Sequence, residues 1–251
     1  MLTSVAHQPS PPAPAGSYWL WSRAPLSSLV IIIPLLAIYE VGLRMTPETA
    51  SRSRVELWLR EALAWLGFGG WLWLPLLTVA ALLAWHCLTR QPWRMSVLVW
   101  LGMGAECLVL AAALAHLAHW EATCCRQLGI QAELEAPTAA VLPPSDAWTR
   151  RVAVCGAGVY EEIAFRLLLL PLGVLLLQRV GLSRRVSLLC GVIATSLLFA
   201  AAHHLGSSGE AWSAQHFALR TGVGLALSGV FLGRGLGVAA GTHTAYDLLL
   251  S

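Results

Sequence analysis

The sequence predicts an all-α protein, a polytopic transmembrane helix bundle of about seven spans (six to eight) with an amphipathic helix at the membrane interface. Three observations predict it. Of 251 residues, 57% are hydrophobic and only 12% are charged, about half the charged fraction usual for a soluble domain. Mean hydropathy is +0.67. Apolar runs approaching or exceeding the roughly 20 residues needed to cross a bilayer recur along the chain. The net charge of +3 comes from arginine alone, since the chain has no lysine. It also has no asparagine, and this usage beside abundant Ala, Leu, Gly and Arg fits GC-rich coding and a bacterial inner (plasma) membrane. No basic stripe is interleaved with aromatics, so no nucleic-acid partner is expected.

Residues 1–24 read as a disordered Pro-rich tail, on the stretch "HQPSPPAPAG". No basic region precedes the first apolar run and no small-residue cleavage site follows it, so the first span is expected to be retained. The seven expected spans are Pro25–Leu43, Leu63–Cys87, Met95–Trp120, Val152–Leu177, Val186–Ala202, Phe217–Leu232 and Leu236–Leu250. The last three are short and contain polar groups, so they belong inside a bundle. "SRSRVELWLREALAWL" alternates Arg and Glu with Val, Leu and Trp at helical spacing, the pattern of an interfacial helix leading into the second span. Glu121 to Thr149 reads as the longest loop, with Asp146 placed to cap the next helix. Gly229-x-x-x-Gly233 and Gly237-x-x-x-Gly241 allow close helix approach. The chain thus divides into N-terminal spans with a polar loop over 25–150 and a C-terminal transmembrane core over 151–251.

Orientation rests on arginines near span ends. With the N-terminus inside, Arg90, Arg94, Arg179, Arg184, Arg185 and Arg234 lie in short cytoplasmic loops. The opposite orientation nearly balances that count, and the shorter loops favour N-inside. The six cysteines form no C-x-x-C pair and read as buried free thiols. Glu40 and Glu106, within apolar spans, are expected to make structural ion pairs, with Arg220 as their partner.

Chemistry concentrates in three places. "GVYEEIAFRLLLL" puts Glu161, Glu162 and Arg166 inside an apolar segment, where one charge costs at least about 2.5–3.5 kcal/mol. Glu162 and Arg166 stand four apart with acid before base, so they can neutralise each other on one helix face. Glu161 lies about 100° away, which leaves it free in the bundle interior to act as a general base. The same triplet can also serve as a polar clasp between helices, without chemistry. In "FAAAHH", Phe199 stands one turn from His203 and can fix its ring. In "GTHTAYDLLL", His243 and Asp247 share a face of the last helix. Asp247, one of two aspartates in the chain, can orient the His tautomer, supply a metal ligand or hold an oxyanion.

E-E-x-x-x-R, F-x-x-x-H and H-x-x-x-D, in that order and each in its own apolar segment, resemble the CPBP intramembrane protease family. That family includes type 2 CAAX prenyl proteases and Abi proteins linked to bacteriocin immunity. The resemblance covers roughly Val152 to Ser251, and it implies a helical bundle enclosing an endopeptidase site. By position it makes Glu161 the activator of water, helped by His203, with His243 and Asp247 stabilising the oxyanion or completing the site. Glu162, Arg166 and Phe199 would be supporting residues. Family members often carry Asn where this chain has Asp247; ionised Asp cannot donate to an oxyanion, so Asp247 is expected to orient His243. The mechanism stays open between glutamate-activated water and zinc held by Glu161, His203 and His243; the cofactor is none or Zn, with the first slightly favoured.

The reading is an intramembrane endopeptidase acting on membrane-protein or peptide substrates in the lipid bilayer, among them C-terminal tails and C-terminal sorting signals of exported proteins. Prenylated CAAX substrates suit a bacterial chain less well. The competing readings are a non-catalytic immunity or scaffold protein, which would tolerate loss of Glu161, and a proton-coupled transporter, which would usually show matched broken helices. The sequence leaves substrate, oligomeric state and metal dependence open.

Overall fold

A computed structural model describes residues 17–46, 52–94, 96–130, 147–205 and 211–250, and every regular element in them is helical. The helices are α1 (Ser17–Trp21), α2 (Pro25–Met45), α3 (Arg54–Trp65), α4 (Trp73–Leu88), α5 (Val97–Gln127), α6 (Ala147–Glu162), α7 (Leu170–Arg179), α8 (Arg184–Ala202), α9 (Ala214–Arg234) and α10 (Leu236–Leu250). A π-helical segment, Ile163–Leu169, joins α6 to α7 without a break. Helix ends follow local chemistry. Pro25 opens α2, and Ser53, Ser183 and Ser213 cap α3, α8 and α9 by accepting a backbone N–H. Gly235, at φ 84°, turns the chain between α9 and α10.

Four described helices, α2, α5, α8 and α9, are long and apolar enough to cross a membrane, and α4 is a shorter apolar helix. The protein is an integral membrane protein. Three boundaries differ from the sequence reading. The second expected span is not one helix: α3 stops at Trp65, Gly67 takes φ 90°, and α4 begins at Trp73. The glycines of "LGFGG" lack the helix propensity to carry the chain through. The long loop is shorter than expected, because α5 continues through Glu121 to Gln127 and α6 starts at Ala147; Asp146 lies outside the described residues. Part of the expected tail is ordered: α1 packs on the bundle through Tyr18, whose hydroxyl donates to Glu106 (2.8 Å), and through Tyr18 and Trp19, which flank the Arg234 guanidinium.

At the centre stands α10, packed against α2, α5, α6 and α9 and buried from Leu236 to Thr244. Small residues permit this. A Cβ on Gly237 would meet the Ser28 backbone of α2 at 2.6 Å, and one on Gly241 would meet Cys107 Sγ of α5 at 2.6 Å. Gly229 and Gly233 meet nothing within 4 Å, so only the second of the two spacings carries packing. The six cysteines are free thiols as expected, but only Cys107, Cys125 and Cys155 are buried; Cys87 and Cys190 lie on the outward faces of their helices and are exposed.

The half-buried carboxylates Glu40 and Glu106 find other partners than Arg220. Glu106 pairs with Arg234, which also donates to Ser22 Oγ (2.8 Å). Glu40 accepts from Arg60 (2.8 Å) and from the Tyr160 hydroxyl (2.9 Å), and Arg60 also donates to Glu56 (2.6 Å). Arg60 and Glu56 are an i, i+4 pair on α3, but Glu106–Arg234 and Glu40–Arg60 join different helices, a pairing that no i, i+4 count can find.

Candidate active site

Helix α6 delivers Glu161 and Glu162 at its last two positions, directly before the π-helical segment. Single-turn widenings of this kind recur at functional sites. Arg166 lies within the widened turn, yet its Nη1 still reaches Glu162 Oε1 at 3.0 Å, with both side chains buried. Its Nη2 donates to the Gly224 carbonyl of α9 (3.2 Å), and the guanidinium lies 4.6 Å from the Phe199 ring centroid. The arginine thereby ties α6 to α8 and α9.

His243 is brought to α6 by close approach of α10: a Cβ on Gly158 would run into Thr244. Its Nδ1 lies 2.8 Å from Glu162 Oε1. A carboxylate only accepts, so Nδ1 carries the donated proton and Nε2 turns toward the site. That nitrogen stands 3.9 Å from Glu161 Oε2 and 3.5 Å from Asp247 Oδ2. The group orienting His243 is therefore Glu162, not Asp247 as the i, i+4 spacing suggested. Glu162 holds both the Arg166 guanidinium and the His243 imidazole on one oxygen, while Asp247 approaches the same Nε2 that Glu161 faces.

His203 ends α8. Its Nδ1 donates to the Phe199 carbonyl (2.8 Å), which leaves Nε2 pointing at Glu161 Oε2 across 3.9 Å. Phe199 packs edge-on against both imidazoles, at centroid distances of 4.9 Å to His203 and 5.8 Å to His243. All seven residues singled out from the sequence, Glu161, Glu162, Arg166, Phe199, His203, His243 and Asp247, thus converge on one place. His204 turns away to stack on Trp212.

Glu161, Phe199, His203, His243 and Asp247 line a cavity of about 440 Å³ whose lining draws on the ends of α8 and α10 and the start of α9. Its opposite wall holds residues that the sequence reading did not place there: His216 and Arg220, one turn apart on α9, and Tyr246 on α10. Their spacing on a short apolar helix was the available signal; nothing in the sequence said which neighbour that face meets.

Zinc fits this donor set poorly. Glu161, His203 and His243 converge, but among the described residues no three His, Cys, Asp or Glu side chains are disposed as a metal-holding group. Tetrahedral zinc needs each donor at about 2.0–2.2 Å, and here Nε2 of His243 is shared between two carboxylates. No step below is routed through a metal.

No curated protein and no solved structure matches the chain. A protein-family model does, over the segment that carries the whole constellation and somewhat under half of the chain. Residues 143–249 match the family described as type II CAAX prenyl endopeptidase Rce1-like, a family of intramembrane proteases, in agreement with the CPBP resemblance drawn from the three motifs.

Proposed function

We propose that the protein is a glutamate-dependent intramembrane endopeptidase that removes C-terminal tails or other membrane-tethered peptides, with residues 151–251 as its catalytic core and 25–150 as supporting spans. The observation that carries this reading is the position of Glu161 Oε2, 3.9 Å from Nε2 of both His203 and His243 at the wall of a cavity. Those gaps are too long for direct hydrogen bonds and suit an intervening water oxygen.

The steps use this chain's own groups. Water donates to Glu161 and to the acceptor nitrogen of His203. As its oxygen attacks the scissile carbonyl, one proton passes to Glu161. The carbonyl oxygen takes the electron pair, and His243, protonated on both nitrogens with its Nδ1–H on Glu162, donates its Nε2–H to that oxyanion. When the C–N bond breaks, Glu161 returns the proton to the leaving nitrogen, giving a free amine and a new carboxylic acid, whose remaining proton passes to His203 Nε2 to leave the carboxylate. Phe199 and Arg166 keep the two imidazoles and the helix turn in register.

The cavity is lined where α8 and α10 end and α9 begins. In the N-inside arrangement of seven spans this is the non-cytoplasmic face of a bacterial inner membrane, with α3 as the interfacial helix. Tails of exported proteins, including C-terminal sorting signals with a hydrophobic segment and basic residues, are then the substrates in reach. Prenylated CAAX tails, made in a cytoplasm, are the poorer fit.

The test compares the C-terminal peptides of membrane and secreted proteins from cells carrying the native protein or Glu161→Ala. The expected result is a set of proteins that keep hydrophobic tails only with the variant. Matching profiles at equal protein abundance would overturn tail processing and put a binding or immunity role first.

A further inference from the structure

The proposed reaction uses one wall of the cavity and leaves the other without a role. That other wall is a single face of α9: His216, Leu219, Arg220 and Val223 all line the cavity, at the i, i+3, i+4 and i+7 spacing of one helix side. Burial deepens along this face, from exposed His216 through half-buried Arg220 to Val223, which is only 6% exposed. Arg220 therefore stands partway into the cavity and not at its rim. The helix that carries it is held close by. At Gly224 a Cβ would lie 3.1 Å from Ser196 Cα of α8, and the Gly224 carbonyl accepts from Arg166.

Charge gives the face its chemistry. Elsewhere the lining carries two carboxylates, Glu161 and Asp247. Among the described lining residues Arg220 is the one arginine, and the chain has no lysine. A substrate group with a negative charge of its own is repelled by the two acids and drawn to the α9 side. The partners that the sequence suggested for Arg220 are engaged elsewhere: Glu40 with Arg60, and Glu106 with Arg234. A guanidinium presents five N–H donors in a planar fork, and a carboxylate takes only two of them. A protein contact to some of these donors thus leaves others for a ligand. The cavity of about 440 Å³ falls within the range of small-ligand pockets, so whatever meets Arg220 belongs to a short stretch of peptide around the reacting carbonyl.

We propose that Arg220 is a specificity-determining residue that binds a carboxylate of the substrate, carried within a few residues of the bond that is cut. This rests on the reading of the cavity as a peptide-cleaving site and names the chemistry of its substrate. The carboxylate has two sources, the C-terminus of a short tail or an Asp or Glu side chain beside the cut, and Arg220 meets both in the same way.

Binding is measured without turnover, on full-length protein carrying Glu161→Gln in phosphatidylcholine nanodiscs. Three probes share one hydrophobic sequence: acetyl-Leu-Ala-Ala-Leu as the free acid, the same peptide as its C-terminal amide, and the amide with one Ala replaced by Glu. The expected result is that a carboxylate-bearing probe binds at least about tenfold tighter than the neutral amide, the scale of one charge-assisted pair. Preference for the acid assigns the C-terminus as the source, and preference for the Glu probe assigns a side chain.

Adding Arg220→Gln should abolish the preference while the neutral amide binds as before, and Arg220→Glu should invert it. Equal binding of all three probes to the Glu161→Gln protein would overturn the proposal. So would a preference that survives Arg220→Gln, the outcome expected of an arginine that only balances Asp247. If Arg220→Gln does not fold, Arg220→Lys decides, because it keeps the charge without the fork: a preference cut at least threefold supports the proposal and an unchanged one overturns it. The reading beneath it fails differently. Arg220-dependent binding in a protein that removes no tails in cells would end the proteolytic reading and leave the carboxylate site standing.

Discussion

Glu162 receives Arg166 Nη1 at 3.0 Å and His243 Nδ1 at 2.8 Å on the same oxygen, whereas its neighbour Glu161 faces the cavity. Removing the two carboxylates should therefore have different consequences. Glu162→Ala leaves a buried guanidinium without its counter-ion, a loss of about 3–5 kcal/mol, and should unfold the protein in detergent at markedly lower temperature. Glu161→Ala leaves His203 on the Phe199 carbonyl and His243 on Glu162, so its thermal unfolding should stay within about 1 kcal/mol of native while cleavage is lost. Equal destabilisation by both would sink the division of labour. Asp247 stands 3.5 Å from His243 Nε2 and is not the group on Nδ1. Asp247→Asn is expected to keep cleavage within a few-fold, since the ring stays oriented and an amide can donate to an oxyanion; a loss of more than about tenfold would make the carboxylate itself essential. The Glu162–Arg166 pair was legible in the sequence because helical neighbours follow from spacing alone. The Glu162–His243 bond was not, because it joins helices that are distant in the chain.

Helix contacts show the same division at the scale of elements. Both glycine spacings in the last two helices read alike in the sequence, but Gly237 lies against the Ser28 backbone while Gly229 and Gly233 have open space around them. Gly237→Ala should thus cost about 1–3 kcal/mol through overpacking, whereas Gly229→Ala should be neutral or gain up to about 1 kcal/mol from helix propensity. Unfolding of the two purified variants, measured side by side, checks the contrast. Their periodicity located the helices; which face meets a partner is decided by tertiary packing, and no local pattern encodes it. The π-helical turn was likewise hidden, since Ile163–Leu169 is apolar and helix-forming in either register. The α3 turn was hidden for another reason: its polar pattern fits a helix lying on a membrane surface, and only the fold reveals Glu56 as a fully buried acceptor.

For the molecule as a whole, three networks among the described residues hold most of the buried and half-buried ion pairs. Arg234 with Glu106 ties α9 to α5 and, through Ser22, to the chain before α2. Arg60 with Glu40 and Glu56 ties α3 to α2, and Tyr160 adds α6. Arg166 with Glu162 ties the site helices together. Two of the three involve none of the residues that line the cavity, so they serve assembly, and the proposed reaction leaves Glu161 for chemistry. The direction in which that cavity opens then decides which tails can enter. Its lining reaches Leu250 at the end of α10, so the C-terminal end of α10 and the candidate site share a side of the bundle. A reporter fused after Ser251 reads that side directly. With the N-terminus inside and seven spans, a C-terminal alkaline phosphatase should be active and a C-terminal green fluorescent protein dark. The reverse pattern would turn the cavity to the cytoplasm and replace exported proteins by cytoplasmic tails as substrates, with the arrangement of Glu161, His203 and His243 unchanged.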